Sequence, residues 1–413
     1  MYDLILKRLE KNSKPVDVIV VGLGFMGFGF VSAARTIPGL KIPLVISRRP
    51  GDAKKLLETK GFKVQLEDNP VKIRDKAKLG FICVSDNLDL IKTYENEIVV
   101  EMTGTVAYGT DVALRVLGAK KHLVTMNPEL EVTVGTELKK IADKNHLVIT
   151  DVYGDQPGSL SRLINNAKMM GFRPRVVGNM KRYLDKHATQ AQMKPWADDK
   201  GLAVRQTVSF TDGTKQAIEM NLVANYFGLS LIKPGMLGVP ITDIREVLSA
   251  FADQTIPEEG VVDYAIGKTL FPGVFVIAEH MDPHQQKYLR YLNMGDGPRY
   301  VLFDAYHLTH LEVPTTIAQV ALFKQEVINN GLHPKTKTVA LAKRNLKTGD
   351  KLDGIGGDTV YGSIYAVSEC DDCLPVGLTS GAVVRHAISQ DQPIQFSDVK
   401  LPVNAATKLL GLV

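Results

Sequence analysis

Two short runs of residues have the types and spacing to bind a phosphate-bearing cofactor. The first is Gly22-Leu23-Gly24-Phe25-Met26-Gly27, directly behind the apolar run Val18 to Val21. A buried parallel strand reads as such a continuous β-branched run. At a strand-to-helix junction the first two glycines allow a tight turn and close approach of a pyrophosphate, and the third lets the helix pack close to the strand. The helix N-terminus then offers unpaired N–H groups and the positive end of its dipole to the phosphates. Because Phe25 and Met26 open a segment rich in Phe, Val and Ala, the junction reads as a dinucleotide site rather than a chance match.

The second run is Ser47-Arg48-Arg49, at the end of Lys41 to Ile46. An NAD site usually carries Asp or Glu about 20 residues past the glycines, where it accepts from the ribose 2′-hydroxyl. A hydroxyl and two guanidiniums stand there instead, and they suit a 2′-phosphate by charge and bidentate geometry. NADP(H) is therefore the expected cofactor. The competing reading is a solvated loop with two basic residues.

These runs need a scaffold. The first ~150 residues alternate short apolar runs with helical patterns, as a doubly wound parallel sheet requires. Strands are expected at Val16–Val21, Pro43–Ser47, Leu79–Val84, Ile98–Glu101, Leu123–Thr125 and Leu147–Thr150, with helices including Asp52–Lys60 and Val112–Ala119. Open α/β sheets bind ligands at the carboxyl ends of their strands. Ser85-Asp86 and Met102-Thr103-Gly104-Thr105 should therefore face the nicotinamide. From Asp151 onward, segments such as Arg173–Val177 and Val204–Phe210 suggest an α+β unit, with a long buried helix at Thr214–Leu229 and strands at Val274–Ile277 and Arg299–Ala305. A helix at Thr315–Asn329 follows Pro314, with two threonines able to cap it. Beyond Gly331 the pattern is β-rich.

Composition narrows the function classes. The 413 residues suffice for two or three domains, and 45% hydrophobic with 23% charged residues describes an ordinary soluble globular protein. A net charge of +5 without a long basic block gives nucleic-acid binding no support. No run approaches the ~18 to 20 apolar residues of a membrane span. Met1 to Lys14 reads as a polar-faced helical pattern without a signal-peptide core. Three cysteines argue against a disulfide framework, so a cytoplasmic location is expected. Cys370-Asp371-Asp372-Cys373 has the spacing of half a zinc site without a second pair, and reads as a surface turn with two free thiols; Cys83 reads as core.

The order of motifs resembles homoserine dehydrogenases. It runs from the glycine turn through Glu101-Met102-Thr103-Gly104, Val124-Thr125-Met126-Asn127, Gly154-Asp155-Gln156-Pro157-Gly158, Val177-Gly178-Asn179 and Asp212-Gly213-Thr214-Lys215 to Glu312-Val313-Pro314-Thr315. The tail, from Thr338 to Asp350 and again at Pro393 to Val399, resembles a SAF (antifreeze-like, β-clip) domain. Together these features resemble homoserine-dehydrogenase-like proteins with a C-terminal SAF domain, one branch of which is the DXR-like reductoisomerases that use NADPH on 1-deoxy-D-xylulose 5-phosphate. The resemblance implies a Rossmann-type domain at 1–150 completed by 305–330, an α+β catalytic and dimerisation domain at 151–304, and a SAF domain at 334–413. It implies cofactor contacts from Gly22, Gly24, Phe25, Met26, Gly27, Ser47, Arg48, Arg49, Ser85, Thr103, Gly104, Asn127 and Pro314, and a homodimer or higher homo-oligomer.

Departures point away from homoserine itself. Pro128 stands where the family has lysine, Asn179-Met180-Lys181-Arg182 replaces its Asn-Gly-Thr turn, and Asp212 and Lys215 are three apart instead of four. Hydride transfer to a carbonyl needs a proton donor or positive charge at the developing alkoxide, and Lys215 supplies both. Asp212 and Glu219 flank it, Glu219 at i+4 on the same helical face; a surface Lys–Glu pair is the competing reading. Lys181, with Arg182 and Lys186, is expected to bind a substrate phosphate or else to form a solvated basic helix face. A reductoisomerisation also needs a metal or cationic group beside carbonyl and hydroxyl oxygens. Glu129, Glu131, Asp155, Asp212 and Glu219 are the acidic candidates for oxygen ligation of a divalent cation, and no spacing among them is diagnostic. A metal site at His307 and His310 is disfavoured, since in an extended segment their side chains face opposite sides. The expected function is an NADPH-dependent reductoisomerase. The alternatives are a dehydrogenase of a polyol, hydroxy acid or homoserine, and a non-catalytic NADP(H)-sensing or carbohydrate-binding protein.

Overall fold

The computed structural model describes residues 2–11 and 14–413. Met1, Asn12 and Ser13, part of the helical pattern read over Met1–Lys14, lie outside the described residues. In chain order the first elements are α1 (Tyr2–Lys11), β1 (Val16–Val21), α2 (Phe25–Ala34), β2 (Leu40–Ile46), α3 (Pro50–Glu58), β3 (Lys63–Leu66), α4 (Pro70–Lys78), β4 (Phe81–Ser85), α5 (Leu90–Thr93), β5 (Ile98–Glu101), α6 (Val106–Gly118), β6 (His122–Thr125), α7 (Pro128–Lys144) and β7 (Ile149–Asp151). Then follow α8 (Gln156–Met169), β8 (Arg173–Lys181), α9 (Gln190–Lys200), α10 (Val204–Thr211), α11 (Thr214–Phe227), β9 (Val239–Pro240), α12 (Val247–Ala250), β10 (Val261–Ile266), β11 (Val274–Glu279), α13 (Pro283–Tyr291) and β12 (Arg299–Asp304). The chain closes with α14 (Val313–Phe323), β13 (Thr336–Ala342), β14 (Val360–Ala366), β15 (Val383–Val384), β16 (Val399–Lys400) and α15 (Ala405–Leu409).

Two compact units emerge. The first comprises residues 1–155 and 308–329, the second 156–307 and 330–413. The first is a Rossmann-type α/β unit: its seven strands, all parallel, run in the order β3-β4-β2-β1-β5-β6-β7. The order reverses beside β1, and the crevice at that switch point is where such sheets take ligands. β1 is VDVIVV, with its last four residues buried, because helices cover both faces of a parallel sheet. Its core joins Val18, Val20, Phe30, Val100 and Val124 to Val313 and Ile317 of α14.

Strands β1 and β5 coincide with the expected ranges, and the other four expected strands here shift by one or two residues at one end or both, except that β2 starts three residues earlier. β3 was missed. Its alternating exposed and buried residues over a short length leave no clear apolar run. α6 begins six residues before its expected start, since Gly109 and Thr110 interrupt the apolar pattern although both are buried. The helix expected at Thr315–Asn329 is α14, Val313–Phe323. Pro314 occupies its first turn, where a missing N–H loses nothing. The two threonines do not cap it; Thr316 Oγ1 instead accepts from Tyr153 N at 2.9 Å. The helix stops because Lys324 turns left-handed and the following chain joins β7, Asp151 N donating to Ile328 O at 2.8 Å.

The second unit carries a mixed sheet in the order β12-β11-β8-β10-β9. β8 pairs parallel with β10 and antiparallel with β11. β10 escaped the sequence reading because Asp263 sits in its middle. That carboxylate is buried and accepts from Leu237 N, Gly238 N and Tyr264 N, so a charge inside an apolar run is here a loop anchor. Val204–Phe210, a mixed segment by sequence, is helical. The β-rich tail forms the β13–β14 and β15–β16 pairs. The sequence reading counts this tail as a third region; by its contacts it belongs to the same compact unit as residues 156–307.

Candidate active site

The turn after β1 gives each glycine a separate task. Gly22 has φ +100°, and a Cβ there would lie 2.7 Å from Met102 O. A Cβ on Gly27 would lie 2.2 Å from Gly22 O, so only glycine lets α2 come this close to the strand. Gly24 differs. Nothing lies within 4 Å of where its Cβ would be, leaving open space at the helix N-terminus. α2 has neither a side-chain cap nor an acidic residue in its first turn, so its own sequence supplies no side-chain partner to its leading N–H groups. Phe25 is exposed and Met26 half-buried. These features fit a pyrophosphate, which Gly24, Phe25, Met26 and Gly27 would hold through backbone N–H groups.

At the end of β2, Ser47 N donates to Ser85 O at 2.8 Å, joining two adjacent strand ends. The Arg48 guanidinium lies over the Tyr108 ring, 5.1 Å from its centroid. Arg49 faces Asp52 at 3.7 Å, both well exposed, and such a pair contributes little and yields readily to a better anion. The Ser85 hydroxyl donates to Asp68 and accepts from Asn87 N at 2.9 Å. The Ser85 side chain thus ties the loop after β3 to the loop after β4.

Beside the glycine turn sits a residue the sequence reading quoted but gave no role. Glu101, the last residue of β5, is fully buried. Its Oε1 accepts from Thr103 N at 2.7 Å, from the Thr103 hydroxyl and from Asn127 Nδ2 at 3.4 Å, and its Oε2 from Thr125 Oγ1 at 2.8 Å. Burial pushes the Glu101 carboxyl above its ordinary range against the pull of those donors. Asn127 also caps α7, accepting from Leu130 N at 3.2 Å. Thr103 and Asn127, expected to touch cofactor, are therefore both oriented by Glu101, while Gly104 turns left-handed beside them with open space at its Cβ. One acidic residue closing an otherwise apolar strand was the available signal. His310 lies in a short 3-10 turn with its ring against Gly29 of α2, and burial lowers its pKa.

In the second unit, β8 presents Asn179 and Lys181 on one face by its two-residue period. Lys181 Nζ reaches Glu219 Oε2 at 3.2 Å and Gln156 Oε1 at 2.9 Å. Asn179 Nδ2 donates to the same two acceptors, at 3.1 and 2.8 Å. Lys181 is the member of this quartet that solvent reaches, its side chain 18% exposed against 4% for Glu219. An ammonium held by a buried carboxylate and aimed by an amide suits a developing alkoxide or a substrate anion. Lys215 stands half-buried in the first turn of α11, one helical turn before Glu219.

Four expectations change here. The basic trio does not converge: Arg182 Nε donates to Leu270 O at 2.7 Å, and Lys186 pairs with Asp391 at 3.1 Å. Lys181 lies on a strand, not on a basic helix face. Asp212, expected beside Lys215, gives its carboxylate to Lys343 at 2.8 Å, both side chains being buried. Glu129 and Glu131 lie in the first turn of α7. Among the described residues, no group of three or more His, Cys, Asp or Glu gathers to hold a metal. Cys370 and Cys373 are joined as a disulfide and not two free thiols, since the turn brings their Cα atoms to 5.3 Å. Cys83 is buried as expected, and burial pushes its thiol up to about 11.

Residues 154–313 match the family described as oxidoreductase DRL, catalytic domain. That stretch contains Gln156, Asn179, Lys181, Lys215 and Glu219. The chain is 23% identical over 249 residues to a homoserine dehydrogenase of Lactococcus lactis, a match covering 55% of this chain and 56% of that protein. Among solved structures it is similar to a scyllo-inositol dehydrogenase from Lactobacillus casei (11% identity, TM-score 0.44, 76% of this chain and 91% of that one). It is also similar to a myo-inositol 2-dehydrogenase from Lactobacillus plantarum (11% identity, TM-score 0.39, 65% and 75%). Among the described residues no helix is long and apolar enough to cross a membrane.

Proposed function

We propose that this chain is an NADPH-dependent oxidoreductase acting on a CH–OH or carbonyl carbon, and that its reaction is the reductoisomerisation of 1-deoxy-D-xylulose 5-phosphate to 2-C-methyl-D-erythritol 4-phosphate. The observation that carries the oxidoreductase reading is the match of residues 154–313 to the oxidoreductase DRL catalytic domain, a stretch that contains the Lys181–Glu219–Asn179–Gln156 quartet; the reductoisomerisation rests on the resemblance in motif order alone. The open space at Gly24 and the uncapped start of α2 support a dinucleotide, and Arg48 and Arg49 support a 2′-phosphate. NADPH, when bound, supplies the hydride. Lys215 and Lys181 are the cations that meet the oxygen on which charge develops and the substrate phosphate, with Glu219 orienting Lys181. The SAF resemblance of the tail and a homo-oligomeric assembly belong to the same reading.

The test is NADPH oxidation with 1-deoxy-D-xylulose 5-phosphate, followed by carbon-13 NMR of the product. A rearranged carbon skeleton is expected. Reduction with an unchanged skeleton would leave a simple dehydrogenase, the second reading, which the 23% identity to a homoserine dehydrogenase favours. Cofactor binding without turnover on any sugar phosphate, polyol, hydroxy acid or homoserine would leave a non-catalytic NADP(H) sensor.

A further inference from the structure

The tail from Asn330 onward grips helix α11 at both ends. At its start, Lys343 Nζ donates to Asp212 Oδ2 (2.8 Å), Ala188 O (2.9 Å) and Gly357 O (2.8 Å), using all three protons of a buried ammonium. The other Asp212 oxygen accepts from Thr214 N, the first residue of α11, at 2.9 Å. Gly362 N of β14 donates to Thr214 Oγ1 at 2.8 Å, and a Cβ on Gly362 would come within 3.0 Å of that threonine's methyl group. At the far end, Asn225 Oδ1 accepts from Lys335 N, Thr336 N and Thr336 Oγ1 at 2.9 to 3.0 Å, while its Nδ2 donates to Asn330 Oδ1 and Thr336 O.

A tail that only offered a binding surface would not need these bonds. An ammonium fully bonded in a dry interior holds its partners in place, because any displacement strands a charge without water. The helix so held carries Lys215 and Glu219. We infer that residues 330–413 brace α11, and that Lys343 is a positioning residue, acting through Asp212 and Thr214 on the placement of Lys215 and Glu219. The brace stands on geometry alone; its catalytic consequence rests on the proposed reaction.

Lys343→Met in the full chain removes the ammonium, and Asp212→Asn with Lys343→Met removes both charges and the penalty of a lone one. In the double variant, thermal stability and the NADPH dissociation constant should stay near wild type. Amide hydrogen exchange at residues 213–219 should quicken by about tenfold or more while α8 keeps its protection. With 1-deoxy-D-xylulose 5-phosphate, kcat should fall by about tenfold or more while the KM for NADPH is unchanged. Turnover returning to wild type in the double variant, or exchange rising equally in α8 and α11, would overturn the inference. If the wild-type protein does not turn over this substrate, the proposed reaction fails, and the exchange measurement alone decides whether the brace exists.

Discussion

Glu101 in the first unit and Glu219 in the second are both carboxylates shut away from water, and their surroundings differ. Glu101 is met by neutral donors, two hydroxyls, an amide and a backbone N–H, supplied by strand ends and a helix cap within 26 residues of it. Glu219 is met by an ammonium and an amide from β8, 38 and 40 residues away. Neutral donors fix a loop without adding charge to it. A cation reached by solvent is available to a substrate. The first arrangement suits a cofactor platform and the second suits chemistry.

The comparison breaks most readily at the cations. Lys215→Ala should lower turnover by about 10² or more with little change in NADPH affinity, measured by steady-state kinetics and cofactor fluorescence. Lys181→Ala removes the ammonium from buried Glu219, and should destabilise the second unit by about 3–5 kcal/mol in a denaturant titration. Near-normal values for both would leave Lys215 without a catalytic role and the Lys181–Glu219 pair without a measurable one.

The glycine turn is tested by two substitutions with opposite signatures. Gly27→Ala forces a Cβ against a backbone oxygen at 2.2 Å and should destabilise the first unit by roughly 1–3 kcal/mol or more. Gly24→Ala meets nothing within 4 Å, so its melting temperature should hold while NADPH binding weakens. Retained binding in Gly24→Ala would remove the phosphate from this turn. A smaller, selective effect is expected at β2. Neutralising Arg48 and Arg49 should weaken NADPH binding about tenfold or more, one charge-assisted contact being worth roughly 1.5–3 kcal/mol, and leave NADH nearly untouched. Equal losses would place the 2′-phosphate elsewhere.

The smallest effects are pH slopes of opposite sign. Burial raises the Glu101 carboxyl above 4.5, so its contribution is most favourable at low pH and declines as pH rises through the raised value. Glu101→Gln should remove that decline from a plot of melting temperature against pH. Asp391 is the reverse case. Burial raises its carboxyl, but bonds from His187, Lys186 and Tyr361 outweigh that and bring it down to about 2. Its contribution is present above 3.8 and lost as pH falls toward 2, so Asp391→Asn should flatten the acid limb. A slope of the wrong sign at either position would contradict the environment assigned to it.

Local order was legible in the chain itself. The glycine turn and the β-branched strands of the parallel sheet express requirements satisfied within a few residues, so their types and spacing suffice to read them. Elements whose burial is interrupted were not legible: Asp263 hid β10, and alternating exposure hid β3. The partners of the charged residues were beyond reach of the sequence. A side chain's partner is chosen by which strand and helix face each other, and that pairing joins positions far apart in the chain. Spacing alone sets Glu219 against Lys215 and Asp212 beside it; packing gives Glu219 to Lys181 and Asp212 to Lys343, because β8 and the tail bring those ammoniums within reach of carboxylates that burial leaves in need of a partner.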